Sequence, residues 1–123
     1  MAEFRVRQHA TGHWTWTMVS ADGTALLARS ARSYADESTC RAGLSEVLAA
    51  VDCAVTIQNP DGFWGWHLCG EDGLPVATAA ESYRSAHRCG EALRLFQYLA
   101  RDLGEATLLS RVDVRVPRPR TAA

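Results

Sequence analysis

Apolar and polar positions alternate at the start of the chain. Phe4-Arg5-Val6-Arg7-Gln8 has the two-residue period of a half-buried strand. After the loop Ala10-Thr11-Gly12, His13 to Ser20 is rich in Trp, Thr and Val, residues that suit a pleated, half-buried surface. Asp22-Gly23 signals a hairpin of type I′, which needs positive φ at both central positions, and Thr24 to Ala28 supplies a third strand. The period then changes. Cys40, Leu44, Val47, Leu48 and Val51 follow one another at the spacing of a single helix face, behind Asp36 as a predicted N-cap.

The same plan returns about 50 residues later. Trp14-Thr15-Trp16 falls on Trp64-Gly65-Trp66, and Asp22-Gly23 on Asp72-Gly73, at an offset of 50. Ser33-Tyr34 falls on Ser82-Tyr83, and Cys40 on Cys89, at an offset of 49. An ordered set of matches with a single insertion or deletion marks an internal repeat. In the second copy, Val55 to Gln58, Phe63 to Cys69 and Leu74 to Ala79 are the predicted strands. Asn59-Pro60-Asp61-Gly62 is a turn, Ser85 an N-cap, and Cys89, Leu93, Phe96, Leu99 and Leu103 a helix face that stops at Gly104. The expected organisation is one pseudo-twofold domain over 1–104, with repeats at about 3–52 and 53–104. Residues 105–123 form a C-terminal arm in which Val112 to Val116 alternates as a short strand before Pro117 and Pro119, with a disordered tail.

The order aromatic-x-aromatic, Asx-Gly, short strand, Ser-Tyr and capped helix, occurring twice, resembles the YegP-like family. The residues that carry the resemblance are Trp14, Trp16, Gly23, Tyr34, Trp64, Trp66, Gly73 and Tyr83 with their immediate neighbours, and it covers about residues 3–103. It implies an α+β fold: tandem duplicated βββα units forming one antiparallel sheet of about six strands, two helices on one face, and helices exchanged between the units. The family is one of unknown function, so the resemblance implies no activity. Relatives usually have Asn-Gly where this chain has Asp-Gly, and often carry lysines, which are absent here.

Composition narrows the classes. Of 123 residues, 47% are hydrophobic and 22% charged, which excludes wholesale disorder. No apolar run is long enough to span a membrane, and the N-terminal residues lack the pattern of a signal peptide, so a cytoplasmic location is expected. Net charge is −1, which removes global basicity as an argument for nucleic acid. All thirteen cationic residues are arginine, and only the arm, with Arg111, Arg115, Arg118 and Arg120, is locally basic.

Strand alternation places Trp14, Trp16, Trp64 and Trp66 beneath the helices as core, although tryptophans two apart could also form a stacking platform. The opposite face then carries Arg5, Arg7, His9, Thr15, Thr17, Gly65, His67 and Cys69. Arg5, Arg7, Thr17 and His67 are candidate binding residues, with Arg115 and Arg118 on the arm. No catalytic motif, cofactor fingerprint or metal spacing occurs; His9 and His13 can meet across their hairpin but lack a third ligand. Cys40 and Cys89 read as buried thiols, while Cys53 and Cys69 should lie close across a hairpin centred on Asp61 without forming a disulfide. Ser33-Tyr34 and Ser82-Tyr83 read as anchors of the strand-to-helix crossovers. The expected function is a non-catalytic binding or adaptor module that meets a protein through the open sheet face or the arm. The alternative is nucleic-acid or anionic-ligand binding through Arg5, Arg7 and the arginine tail, and an enzyme with an unrecognised pocket comes third. A monomer is the default, with a dimer through the arm as the other arrangement.

Overall fold

The computed structural model describes the backbone of residues 2–110 and 113–115 and the side chains of 2–103. The chain runs β1 (Glu3–Gln8), β2 (Trp14–Val19), β3 (Leu26–Ser30) and α1 (Glu37–Ala49). A one-turn 3-10 helix (Val51–Cys53) then leads into β4 (Val55–Gln58), β5 (Trp64–Cys69), β6 (Pro75–Ala79), α2 (Ala86–Ser110) and β7 (Asp113–Arg115). The order βββα therefore occurs twice. The strands form one sheet in the order β4-β5-β6-β3-β2-β1-β7. The first six are antiparallel neighbours, as expected, and β7 adds parallel to β1. At the centre, Arg29 on β3 stands opposite Thr78 on β6. These positions are 49 apart, so an approximate twofold axis passes between them.

Four hairpin turns share one geometry. The carbonyls of His9, Ser20, Asn59 and Gly70 accept from the N–H groups of Gly12, Gly23, Gly62 and Gly73, at 2.8 to 3.0 Å. Each of these glycines has positive φ, between 74° and 95°, and no other described residue type does. The type I′ expectation is corrected by this. Asp22 stays at negative φ, and only the glycine that closes the turn enters the left-handed region. A type I turn followed by a left-handed glycine links twisted strands equally well.

The core lies between the sheet and the two helices. Phe4, Val6, Trp16 and Met18 of the first unit, and Trp66, Leu68 and Val76 of the second, meet Cys40, Leu44 and Val47 of α1 and Cys89, Leu93 and Phe96 of α2. Trp66 stacks on Phe96 at 4.6 Å, and Phe4 meets Trp16 edge to face at 5.6 Å. Trp14 and Trp64 are only half-buried against this core, because each begins its strand at the margin of the helix layer.

Asp36 caps α1: its carboxylate accepts from Thr39 N at 2.8 Å, and the Thr39 hydroxyl returns a contact to the Asp36 backbone. Ser85 caps α2 by accepting from Arg88 N at 3.1 Å. Both crossovers are pinned by backbone pairs, Trp14 with Tyr34 and Trp64 with Tyr83, at 2.7 and 2.8 Å. This gives the repeated tyrosines their anchoring role. It also limits the exchange of helices that the resemblance implies. Each helix stays over the first two strands of its own unit and crosses the axis only to the other unit's third strand: α1 packs on β1, β2 and β6, and α2 on β4, β5 and β3.

The helix expected to stop at Gly104 continues to Ser110. A helical glycine costs roughly 1 kcal/mol, and the following Glu-Ala-Thr-Leu-Leu supplies good helix formers on its far side. The predicted arm strand exists as β7, and its ladder goes to β1 of the same chain. Among the described residues, no helix is long and apolar enough to cross a membrane.

Candidate functional site

With both helices on one face, the other face of the sheet is open. One cross-strand row organises it. Arg5 stands opposite Thr17, Thr17 opposite Arg29, Arg29 opposite Thr78, Thr78 opposite His67, and His67 opposite Val55. Residues directly opposite share a face, so six side chains line up across six strands. Beside this row, Arg7 pairs with Thr15 at one end and Ile57 with Gly65 at the other. Arg5, Thr17 and His67, scattered in sequence, are thus brought into one line with Arg7 next to it.

The face is concave on both sides of the axis. Over the first unit lies a hollow of about 540 Å³ lined by Arg5, Arg7, Arg29, Thr15, Thr17, His9, His13, Leu26 and Ser30, among others. Over the second lies a hollow of about 340 Å³ whose lining includes Arg29, Ile57, Asn59, Gly65, His67, Thr78 and Glu81. Arg29 belongs to both because it stands at the axis.

The first hollow is cationic. Arg5 is half-buried and pairs with Glu3 at 2.9 Å. Arg7 and Arg29 are exposed, and neither has an acidic partner among the described residues. His9 and His13 meet as expected, ring on ring at 4.6 Å and 16°. His9 Nε2 lies 2.6 Å from Thr15 Oγ1, and His13 Nδ1 meets the Thr11 hydroxyl. Burial, the Arg7 guanidinium and His13 together hold the His9 imidazolium below its ordinary range, which favours the neutral ring.

The arm candidates are placed differently. Arg115 stands in register with Arg7 across β7 and β1, at the edge of the same half. Arg118 lies outside the described residues. Gly23 and Gly73 close their hairpins, and Trp16 and Trp66 are core.

Arg29 is the residue that sequence reasoning missed. The third strand read from the sequence ended at Ala28, whereas the observed strand extends to Ser30. Ala28 is fully buried, so alternation past it would have put Arg29 on the open face.

Cys40 and Cys89 are buried in the core. Burial pushes both thiols up, Cys40 to about 11, which leaves them unsuited to act as nucleophiles. The hairpin is centred on Asp61 as expected, with Val55 opposite His67. Cys53 falls in the 3-10 turn just before that ladder, and both it and Cys69 are free thiols.

No protein-family profile matches the chain, and no curated protein matches it in sequence. Two solution NMR structures match its architecture. One is yegP of E. coli, described as a protein of unknown function, with a TM-score of 0.73 and 9% identity, covering 94% of this chain and 92% of that one. The other is a UPF0339 protein of Shewanella oneidensis, with a TM-score of 0.76 and 8% identity, covering 99% and 98%. Two βββα units on one sheet, superposing on nearly the whole of both solved structures, give this chain the YegP-like fold.

Proposed function

We propose that the chain is a non-catalytic binding domain whose open sheet face holds an anionic group in the hollow of the first unit. One observation carries this reading: Arg5, Arg7 and Arg29, from two strands separated by β2, line a single concavity. Guanidinium groups are weakly hydrated, planar donors suited to carboxylate and phosphate. Thr15 and Thr17 between them add hydroxyls, and Arg7 and Arg29, which have no acidic partner among the described residues, supply positive charge for a ligand to neutralise. Free thiols at all four cysteines and a site complete in one chain are in keeping with a cytoplasmic, monomeric tandem-repeat protein.

The test is an amide-shift titration of the labelled full chain with inorganic phosphate, and separately with a short single-stranded oligonucleotide, at low salt. The amides of Arg5, Arg7, Thr17 and Arg29 should shift. The effect should weaken with added salt and disappear in an Arg7→Gln, Arg29→Gln double variant. Absence of shifts, or shifts that survive in the double variant, would overturn the reading.

A protein partner is the second reading. It is favoured by β4, the outermost strand on its side, whose four residues are all exposed and carry no charge. Such an edge is a template for strand addition, and co-purification with the tagged chain distinguishes it from the first reading.

A further inference from the structure

The two halves of the open face match in geometry and differ in chemistry. Across the axis, Val55 occupies the place of Arg5, Ile57 that of Arg7, and Thr78 that of Arg29. Val55 is 49% exposed and Ile57 39%, both on the open face next to the second hollow. Gly65 stands opposite Ile57, where the first unit has Thr15 opposite Arg7.

This glycine has no structural requirement behind it. Its φ is not positive, and a Cβ there would meet only Asn59 Nδ2, at 3.8 Å. A glycine inside a strand weakens it and often marks close approach by a ligand. Gly65 and Ile57 both line the second hollow, and the missing side chain leaves the space above this strand open. Arg29 at the axis lines both hollows.

We infer that the ligand is an amphipathic anion, with its carboxylate or phosphate head on Arg7 and Arg29 and its apolar tail crossing the axis onto Gly65 and Ile57. This rests on the anion-binding reading above and names its ligand class. From β3 to β4 is three strand spacings, about 14 Å, the reach of a medium-length alkyl chain. Glu81 lines the second hollow and opposes a second anionic head there, which sets the direction of the ligand.

Calorimetric titration of the full chain with decanoate, decyl phosphate, acetate and inorganic phosphate, below micelle-forming concentrations, tests the inference. The decyl anions should bind at least tenfold more tightly than acetate or phosphate, and the tighter of the two identifies the head. Gly65→Val should erase that gain while leaving inorganic phosphate binding unchanged. Its φ is not positive and a Cβ there meets nothing closer than 3.8 Å, so the variant should melt no lower than the parent. Arg29→Gln should weaken all four ligands. If phosphate binds but the decyl chain adds nothing, or Gly65→Val leaves decanoate affinity intact, the inference fails and the anion site stands. If none of the four ligands binds, both fail.

Discussion

Asp22 sits at the tip of the β2–β3 turn, where one carboxylate oxygen accepts from the Ser20 hydroxyl at 2.7 Å, the Thr24 hydroxyl at 2.7 Å and Thr24 N at 3.0 Å. The Ser20 and Thr24 hydroxyls, then the Thr24 amide, hold its pKa down at about 2, from an ordinary 3.8. A depressed carboxylate contributes stability that is present above the unfolded pKa and lost as pH falls through the folded one. Between pH 4 and 2, the parent should therefore lose stability more steeply than Asp22→Asn, and a carboxyl titration by NMR should place Asp22 near 2. The Asp-Gly pair announced this turn. The reason it tolerates Asp is local hydrogen bonding by the side chain, with only the glycine at positive φ.

At the scale of elements, the two helices are capped unequally. Asp36 makes a reciprocal box with Thr39, whereas Ser85 makes a single bond to Arg88 N. Asp36→Ala should cost about 1 kcal/mol in a urea melt, and Ser85→Ala less. Both caps, both helix faces and the six antiparallel strands were legible because each depends on residues close in sequence. The length of α2 beyond Gly104 was not, since a single glycine is outweighed by the helix formers that follow it. Strand ends drifted for a related reason. The third strand looked finished at Ala28, and its extension to Ser30 depends on pairing with β6 of the other unit, where Arg29 meets Thr78, 49 residues away. Arg29 was lost from the candidate site with it.

At the scale of the whole molecule, the fold sets a titratable ring beside the arginines of the open face. His9 lies in the first hollow, bonded to Thr15, stacked on His13 and within the field of Arg7. Burial, Arg7 and His13 hold His9 below its ordinary pKa of 6.5. An anion bound there would relieve that repulsion and raise the His9 pKa, so binding takes up a proton. Affinity for sulfate, which keeps its charge over this range, should rise as pH falls from 7.5 to 5.5, and His9→Gln should flatten the profile. A profile that is flat in the parent chain would show that His9 does not feel the ligand.

What the sequence determined by itself is the local grammar: the strand and helix periods, the four glycine-closed turns, the caps, and the recurrence that makes two βββα units. Those signals act over a few residues, and short-range sterics and hydrogen bonding suffice to produce them. The tertiary structure decided how the units meet. Pairing of β3 with β6 puts Arg29 at the axis and aligns Arg5, Thr17, Arg29, Thr78, His67 and Val55 in one row. It also leaves β7 against β1 and β4 at the outer edge. Long-range register is set by which apolar faces bury against the same pair of helices. The contrast between a half that carries Arg5, Arg7 and Arg29 and a half that carries Val55, Ile57 and Thr78 in their places therefore exists only once the chain has folded.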